Sequence, residues 1–483
     1  MWETITNYWH FITVGFATVN FIFVLGMFAW ILSLKKESAS AIAWCLLVLV
    51  VPIFGALLFV MFGYQNVNRP LKRKRQHRVR FRAKSSALLN EAATPPEMPD
   101  PGYEGLAQLA TRLSATWPSA GNRVEFYHEG RSAFDAMFAA IQAAKHHVHV
   151  QFFIFRNDKL GAKMLDVLTA KARAGVEVRL LVDGIGARHL SHRETRALRD
   201  AGGKVASFLP VSLWRRSFQV NLRNHRKVVI TDGATAFTGG LNVGDEYLGE
   251  CPRFGCWRDT FLRLEGPAVE GLQNVFAEDW DFAAGEALQG SNYYPPVEHA
   301  GDVTAQVIAS GPDMEFRPIR EIYFAAMLKA RKRLWVTSPY YVPDEGIRDA
   351  LSLAALSGVD VRLLLPKHPD HWMPYFAGRY YLPVLMAAGV KVYRYTKGFM
   401  HAKIVLADGQ WASVGTANLD NRSLLLNFEV NCLFHTPRVV GELERQFLYD
   451  LEDAVRVEPK IYAQRTWPGK LAENVCRLFA PVL

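Results

Sequence analysis

The sequence predicts an α/β protein made of two similar mixed-sheet halves, preceded by a two-helix transmembrane hairpin. Three observations carry this. Gly175-Val176-Glu177-Val178-Arg179-Leu180-Leu181 returns as Gly358-Val359-Asp360-Val361-Arg362-Leu363-Leu364, and Ala201-Gly202-Gly203-Lys204-Val205 returns as Ala388-Gly389-Val390-Lys391-Val392. A His-x-Lys-x4-Asp pattern follows each copy: His225, Lys227 and Asp232, then His401, Lys403 and Asp408. No charged residue lies between Glu3 and Lys35 or between Glu37 and Arg69.

Each uncharged interval holds an apolar run able to cross a bilayer at ~20 residues per span. The spans are placed near Phe11 to Leu34 and Ala41 to Gly63, in a unit covering 1–68. A signal peptide is the competing reading of the first, but no positive stretch precedes it. Residues 69–102 are a basic block and a linker. The block, from Arg69 to Lys84, holds nine basic residues and no acid. It fixes its flank as cytoplasmic, against the two lysines of the opposite loop, and suits anionic headgroups. Pro95, Pro96, Pro99 and Pro101 mark the linker.

The chain carries a net charge of +10, so everything outside the block sums to +1. A nucleic-acid enzyme spreads its charge over the catalytic face. No nucleic-acid partner is therefore expected. The five cysteines are scattered and odd in number, which argues against a disulfide framework. Cys251 and Cys256 lack a second pair for zinc, and His146, His147 and His149 lack paired acidic ligands, so no metal is expected.

The first half spans 103–300 and the second 301–483. In the first, a helix near Ala133 to Ala144 leads to a strand from Val148 to Phe155, a helix near Gly161 to Ala174 and a strand from Val176 to Asp183. In the second, a helix near Arg317 to Ala330 leads to a strand from Leu334 to Ser338, a helix near Asp344 to Ser357 and a strand from Val359 to Pro366. This alternation implies a sheet covered on both faces. His225 and Lys227 should point to one strand face and Arg226 to the other. Asp232-Gly233 and Asp408-Gly409 are hairpin turns, and Asn242 and Asn418 fall ten residues after the Asp in each copy. Two such copies with matching offsets are about a one-in-a-thousand coincidence on composition.

The pair resembles the HKD motifs of the phospholipase D superfamily, and the segments around it are similar to bacterial cardiolipin synthases. These are Gly239 to Tyr247, Trp257-Arg258-Asp259-Thr260, Ser338 to Glu345 and Gly415 to Ser423. Gly240 departs from the superfamily pattern, which often has Ser there. The resemblance implies two halves about a pseudo-twofold axis with His225 and His401 together at their interface; the spacing of the repeats permits this. It also implies exchange between two phosphatidylglycerol molecules giving cardiolipin, at the bacterial cytoplasmic membrane with the catalytic part in the cytosol. Hydrolysis, and phosphatidylethanolamine as donor, remain alternatives.

Neutral imidazole suits attack on an anionic phosphodiester, and a covalent phosphohistidine splits the exchange into two steps. One histidine attacks, His225 by resemblance, while the other donates and later accepts the proton. Lys227, Lys403, Asn242 and Asn418 would hold the nonbridging oxygens. Asp259 and Glu429 are candidates to fix the histidine tautomers. Asp232 and Asp408 close their turns and are also candidates for a direct catalytic role. This chemistry needs no cofactor. His368 and His371 are candidate substrate contacts beyond a strand end. Leu471, Val475, Leu478 and Phe479 form a helical stripe expected to pack on the domain rather than on the membrane.

Overall fold

The computed structural model describes residues 2–34, 38–60, 71–79, 101–210, 221–251, 254–296 and 298–483. The chain forms two compact units, one ending at Leu71 and one holding the remaining described residues.

In the N-terminal unit, the helix Trp2–Ser33 contains a stretch, Phe11–Ser33, that is long and apolar enough to cross a membrane. The second expected span is broken. Its helix ends at Val50, and a new one, Pro52–Leu58, starts at proline. Pro52 has no N–H to continue the hydrogen-bond ladder, which makes it a helix start rather than a helix interior. Residues 61–63 of that expected span lie outside the described residues. The pieces pack through Val24, Met27, Ile31, Ala41, Val48, Ala56 and Phe59, with Phe59 edge-on to Trp30 and Trp44 at 5.5 Å.

The larger unit holds one 16-stranded sheet and, apart from it, a two-stranded parallel pair of Tyr341–Val342 with Leu419–Asp420. The first half supplies β1 (Ser119–Glu129), β2 (His147–Phe152), β3 (Glu177–Asp183), β4 (Lys204–Phe208), β5 (Val228–Thr231), β6 (Thr235–Gly239) and β7 (Cys256–Glu265). The second supplies β8 (Val303–Ser310), β9 (Arg333–Thr337), β10 (Tyr341–Val342), β11 (Asp360–Pro366), β12 (Lys391–Tyr395), β13 (Gly398–Met400), β14 (Ile404–Ala407), β15 (Trp411–Gly415), β16 (Leu419–Asp420), β17 (Glu429–Phe434) and β18 (Ala454–Arg456). In space the first half runs β4-β3-β2-β5-β6-β7-β1 and the second β12-β11-β9-β14-β15-β17-β8. Each order has three parallel strands followed by antiparallel ones, and the halves join through the antiparallel pair β1 and β8. The repeat seen in the sequence is therefore a repeat of topology.

Helices cover both faces, so the central strands are buried on both sides even where polar and apolar residues alternate, as in His147-Val148-His149-Val150-Gln151-Phe152. β2 is buried along its whole length and β3 everywhere but Glu177. Asp158 and Asp344 occupy matching N-caps, accepting from the amides of Gly161 and Ile347 at 3.0 and 3.1 Å. The helix Pro101–Ser114 stands at the start of the first half in sequence but packs on the second, with Tyr103, Leu106 and Ala110 in that half's core. Of the histidine cluster, His147 and His149 are buried, and His149 stacks on Phe276 at 4.5 Å.

Candidate active site

β5 and β14, which follow the two histidines, begin only at Val228 and Ile404, so each histidine lies on an extended segment that has left its own sheet. That segment crosses to the other half. β13 pairs in parallel with β7, and the His401 amide donates to the Arg258 carbonyl at 2.7 Å. Symmetrically, Asn224 bridges Phe428 and the His225 amide donates to the Phe428 carbonyl at 2.9 Å. The residue after each carbonyl is an acid. His225 Nδ1 therefore meets Glu429 Oε2 at 2.9 Å, and His401 Nδ1 meets Asp259 Oδ2 at 2.7 Å. Each histidine is held by the carboxylate of the opposite half.

Both carboxylates are anchored in turn. Glu429 accepts from the Thr416 hydroxyl at 2.5 Å and from Asn427 at 3.2 Å, and Asp259 accepts from the Thr260 amide at 2.7 Å. Gly240 is explained here, because a Cβ on it would come 2.0 Å from Asp259 Oδ1. Asp259 fills the space a serine would need. At the matching place in the second half, Thr416 instead bonds the longer acid.

Lys227 and Lys403 are fully buried on the same side as the histidines, while Arg226 points away, as alternation requires. Lys227 Nζ donates to the His225 carbonyl at 2.6 Å, and Lys403 Nζ lies 2.9 Å from His401 Nδ1. Burial lowers Lys227 to about 7 and Lys403 to about 8, against the pull of Glu429 and Asp259. Burial likewise lowers both histidines to about 4, and the neighbouring lysine charge adds to it. The imidazoles are thus neutral near pH 7. The Lys403 charge is felt at His225 and at Lys227, so the two motifs share one electrostatic environment. Burial pushes the Glu429 and Asp259 carboxyls up, but the facing histidines and lysines outweigh it and keep both below their ordinary values.

Asn242 donates to the Tyr247 hydroxyl at 3.0 Å and accepts from the Ile154 amide at 3.1 Å. Asn418 is buried and bonds the Asp420 carboxyl, which burial raises.

Asp232 and Asp408 are elsewhere. Each lies at the far end of its strand with a left-handed backbone, φ 54° and 55°, followed by a left-handed glycine. Asp232 accepts from the amides of Lys145, His146 and His147 at 2.8, 2.7 and 2.9 Å. Asp408 accepts from those of Arg331, Lys332 and Arg333 at 2.8, 2.7 and 2.9 Å and from the Tyr103 hydroxyl at 3.0 Å. Seven residues of extended chain, roughly 20 Å, separate each of them from its histidine, and their oxygens pin the start of β2 and β9.

Two cations of the basic block also face the domain rather than headgroups, while Arg69, Arg80, Arg82 and Lys84 lie outside the described residues. Residues 71–79 form a helix whose Lys74 and Arg78 are buried. Lys74 Nζ lies 2.9 Å from Glu278 and 2.8 Å from Asp279, and Arg78 pairs with Glu278 at 2.9 Å and Asp313 at 3.1 Å. These two cations are closed to lipid headgroups. Asp279 also accepts from Arg226 at 2.7 Å and Asn224 at 2.9 Å, the residues on either side of His225. Burial would raise Asp279; Arg226 and Lys74 hold it far below its usual range.

Sequence reasoning missed Asp370. It lies between the exposed His368 and His371, accepts from the Tyr340 hydroxyl, and its charge reaches His401 and Lys403. Its flanking histidines drew attention, while a lone acid after a strand gives no motif.

A duplicated α/β sheet that closes one His-x-Lys pair from each half into a single buried site defines a two-motif, phospholipase D-like protein. The family model described as "Cardiolipin synthase, PLD-like domain" matches residues 137–280 and 323–451, and one described as "Phospholipase_D-nuclease N-terminal" matches 21–63. A cardiolipin synthase of Geobacillus kaustophilus is 40% identical over 463 residues, covering 94% of this chain and 91% of the relative. One from Geobacillus thermodenitrificans is 39% identical over 485 residues, covering 99% and 96%. The crystal structure of a phosphatidylserine synthase from Haemophilus influenzae Rd KW20 shares the fold, with a TM-score of 0.59 at 15% identity, covering 78% of this chain and 100% of that one. The chain belongs to the cardiolipin synthase family of phospholipase D-like proteins. With its apolar N-terminal helix, that membership marks it as membrane-associated.

Proposed function

We propose that the chain transfers a phosphatidyl group between two phosphatidylglycerol molecules, giving cardiolipin and glycerol, from the cytosolic side of a bacterial inner membrane that its N-terminal helices span as a hairpin. The observation that carries this is the crossed pair of histidine–carboxylate contacts, which brings one imidazole from each half into one buried site.

A histidine that donates Nδ1–H to a carboxylate keeps its lone pair on Nε2. His225 Nε2 attacks phosphorus, and the bond to the glycerol oxygen breaks as His401 passes it a proton. The phosphatidyl group is then bound to His225. His401, now neutral, takes the proton of a second phosphatidylglycerol hydroxyl, whose oxygen attacks phosphorus and releases His225. The phosphodiester anion recharges the site, favouring protonated His401 and the ammonium forms of Lys227 and Lys403 that balance the transition state. Asn242 and Asn418 complete the phosphate's donor set, and Asp259 and Glu429 set the tautomers.

The test is to give purified enzyme headgroup-labelled phosphatidylglycerol in mixed micelles and identify both products. Free glycerol and cardiolipin should form in equal amounts, and added glycerol should drive cardiolipin backwards. Phosphatidic acid as the dominant product would make the chain a hydrolase. Turnover only with phosphatidylethanolamine present would change the donor.

A further inference from the structure

The C-terminal helix Trp467–Arg477 is turned the opposite way from a helix that packs on its domain. Its row of Trp467, Leu471, Val475 and Leu478 is 73%, 46%, 47% and 77% exposed. At ~100° per residue these four fall within a sector of about 80°. The opposite face is the buried one. Cys476 and, just beyond the helix, Ala480 lie in the core of the second half, and Glu473 pairs inward with Arg379 at 2.8 Å and Arg465 at 3.2 Å. The expectation that Leu471, Val475, Leu478 and Phe479 pack on the domain is therefore corrected, since all four are exposed and a polar and small-residue face packs instead.

We propose that this row is an interfacial anchor that inserts into the headgroup boundary of an anionic phospholipid bilayer. Charge selects the occupant. Lys470 and Arg477 are exposed beside the row, Lys460 is exposed on the short helix Pro459–Ala463 before it, and the only acid between residues 459 and 483 is the inward-turned Glu473. An apolar face bearing Trp and flanked by Lys and Arg fits the membrane interface. A second copy of the chain meeting the same face would bring like charges together.

The row is also tied to the site. Leu483 and Ala480 accept from the Arg422 amide at 2.8 Å and the Asn421 side chain at 3.0 Å, directly after the Asn418-Leu419-Asp420 segment. Seating the row in the bilayer would hold the second half's side of the site at the surface where lipid substrates lie. The inference rests on the reading that this chain acts on lipid, and its first test does not require turnover.

In full-length protein carrying Cys45→Ala, Cys251→Ala and Cys256→Ala, the remaining native cysteines are buried. A fluorophore attached through Leu478→Cys is placed in vesicles of phosphatidylglycerol and phosphatidylethanolamine. It should be quenched by lipid-borne nitroxide and shielded from aqueous iodide. Free access to iodide without lipid quenching overturns the proposal, as does label-to-label quenching that grows with protein density, which would assign the face to a second copy. The Trp467→Ser/Leu478→Ser variant gives the functional arm. It should need about tenfold more phosphatidylglycerol in the vesicle surface for half-maximal rate, with its rate on a short-chain, monomeric phosphatidylglycerol unchanged. Equal losses on both substrates would mean a structural role. If the unaltered enzyme turns over neither, the proposed activity fails while the quenching result still decides the anchor.

Discussion

His225 and Glu429 stand 204 residues apart in the chain and 2.9 Å apart in space, in opposite halves. The mirror relation joins His401 to Asp259 at 2.7 Å. Neither half holds a complete histidine–carboxylate pair of its own. Glu429→Gln and Asp259→Asn preserve shape while removing the preference for the Nδ1–H tautomer. Each should lower kcat by about 10²- to 10⁴-fold with a small change in KM. Adding Glu429→Gln to His225→Ala should cost little more. Near-normal turnover by either carboxamide variant would remove the tautomer argument.

The aspartates that end the two motifs carry the opposite expectation. Asp232→Ala strips the acceptor from three amides at the head of β2, and such buried donors cost about 1–3 kcal/mol each when wholly unmet. Water replaces part of that loss, because the turn is only half-buried. The melting temperature should fall, while kcat per folded molecule stays within about twofold of the parent enzyme. A loss of orders of magnitude in kcat from a protein of unchanged stability would return Asp232 to the chemistry.

Lys74 predicts a link between the juxtamembrane helix and the first motif. Lys74→Met leaves the buried Glu278 and Asp279 short of a cation, a type of change that costs about 3–5 kcal/mol. Asp279 also holds Asn224 and Arg226, so activity should fall together with stability. Removing both charges with Lys74→Met/Asp279→Asn should recover part of the stability. Chemical denaturation of the detergent-solubilised chain measures both. An unaltered unfolding midpoint for Lys74→Met would show that the helix is not bound there.

The lysines set a pH dependence. Lowered by burial to about 7 and about 8, Lys227 and Lys403 lose their charge as pH rises through those values. A bound phosphodiester favours the protonated forms, so binding must take up protons there. KM for phosphatidylglycerol should climb between pH ~7 and ~9, and kcat should change less. Calorimetry with deacylated phosphatidylglycerol in two buffers of different ionisation enthalpy reads the uptake directly. Proton release in that range would reverse the sign.

Much of the fold is legible in the sequence, because the duplication, the strand–helix alternation and the asparagine offsets are local patterns that the halves state twice. The helices expected near Gly161 to Ala174 and Asp344 to Ser357 occur as Lys159–Arg173 and Glu345–Leu356. What was not legible depends on how distant segments pack. Asp259 and Glu429 could be picked out as acids at matching places, yet only the crossing of β13 onto β7 decides which histidine each one meets. Lys74 and Arg78 read as part of a cationic run, because nothing local announces that Glu278, Asp279 and Asp313 will close over them. Pro52 sits inside the apolar run, where it starts a new helix. The C-terminal stripe shows periodicity alone, which finds an apolar face without saying what it faces.

The composite site with His225 as nucleophile is tested most directly by trapping. A phosphatidyl ester of p-nitrophenol needs no proton donor to leave, so it isolates the first step from the general acid. His401→Ala should release one equivalent of nitrophenol in a burst and retain the phosphatidyl group in an acid-labile, base-stable bond to His225, located by peptide mass spectrometry; His225→Ala should show neither burst nor label. A burst from His225→Ala with the label on His401 would contradict the assignment.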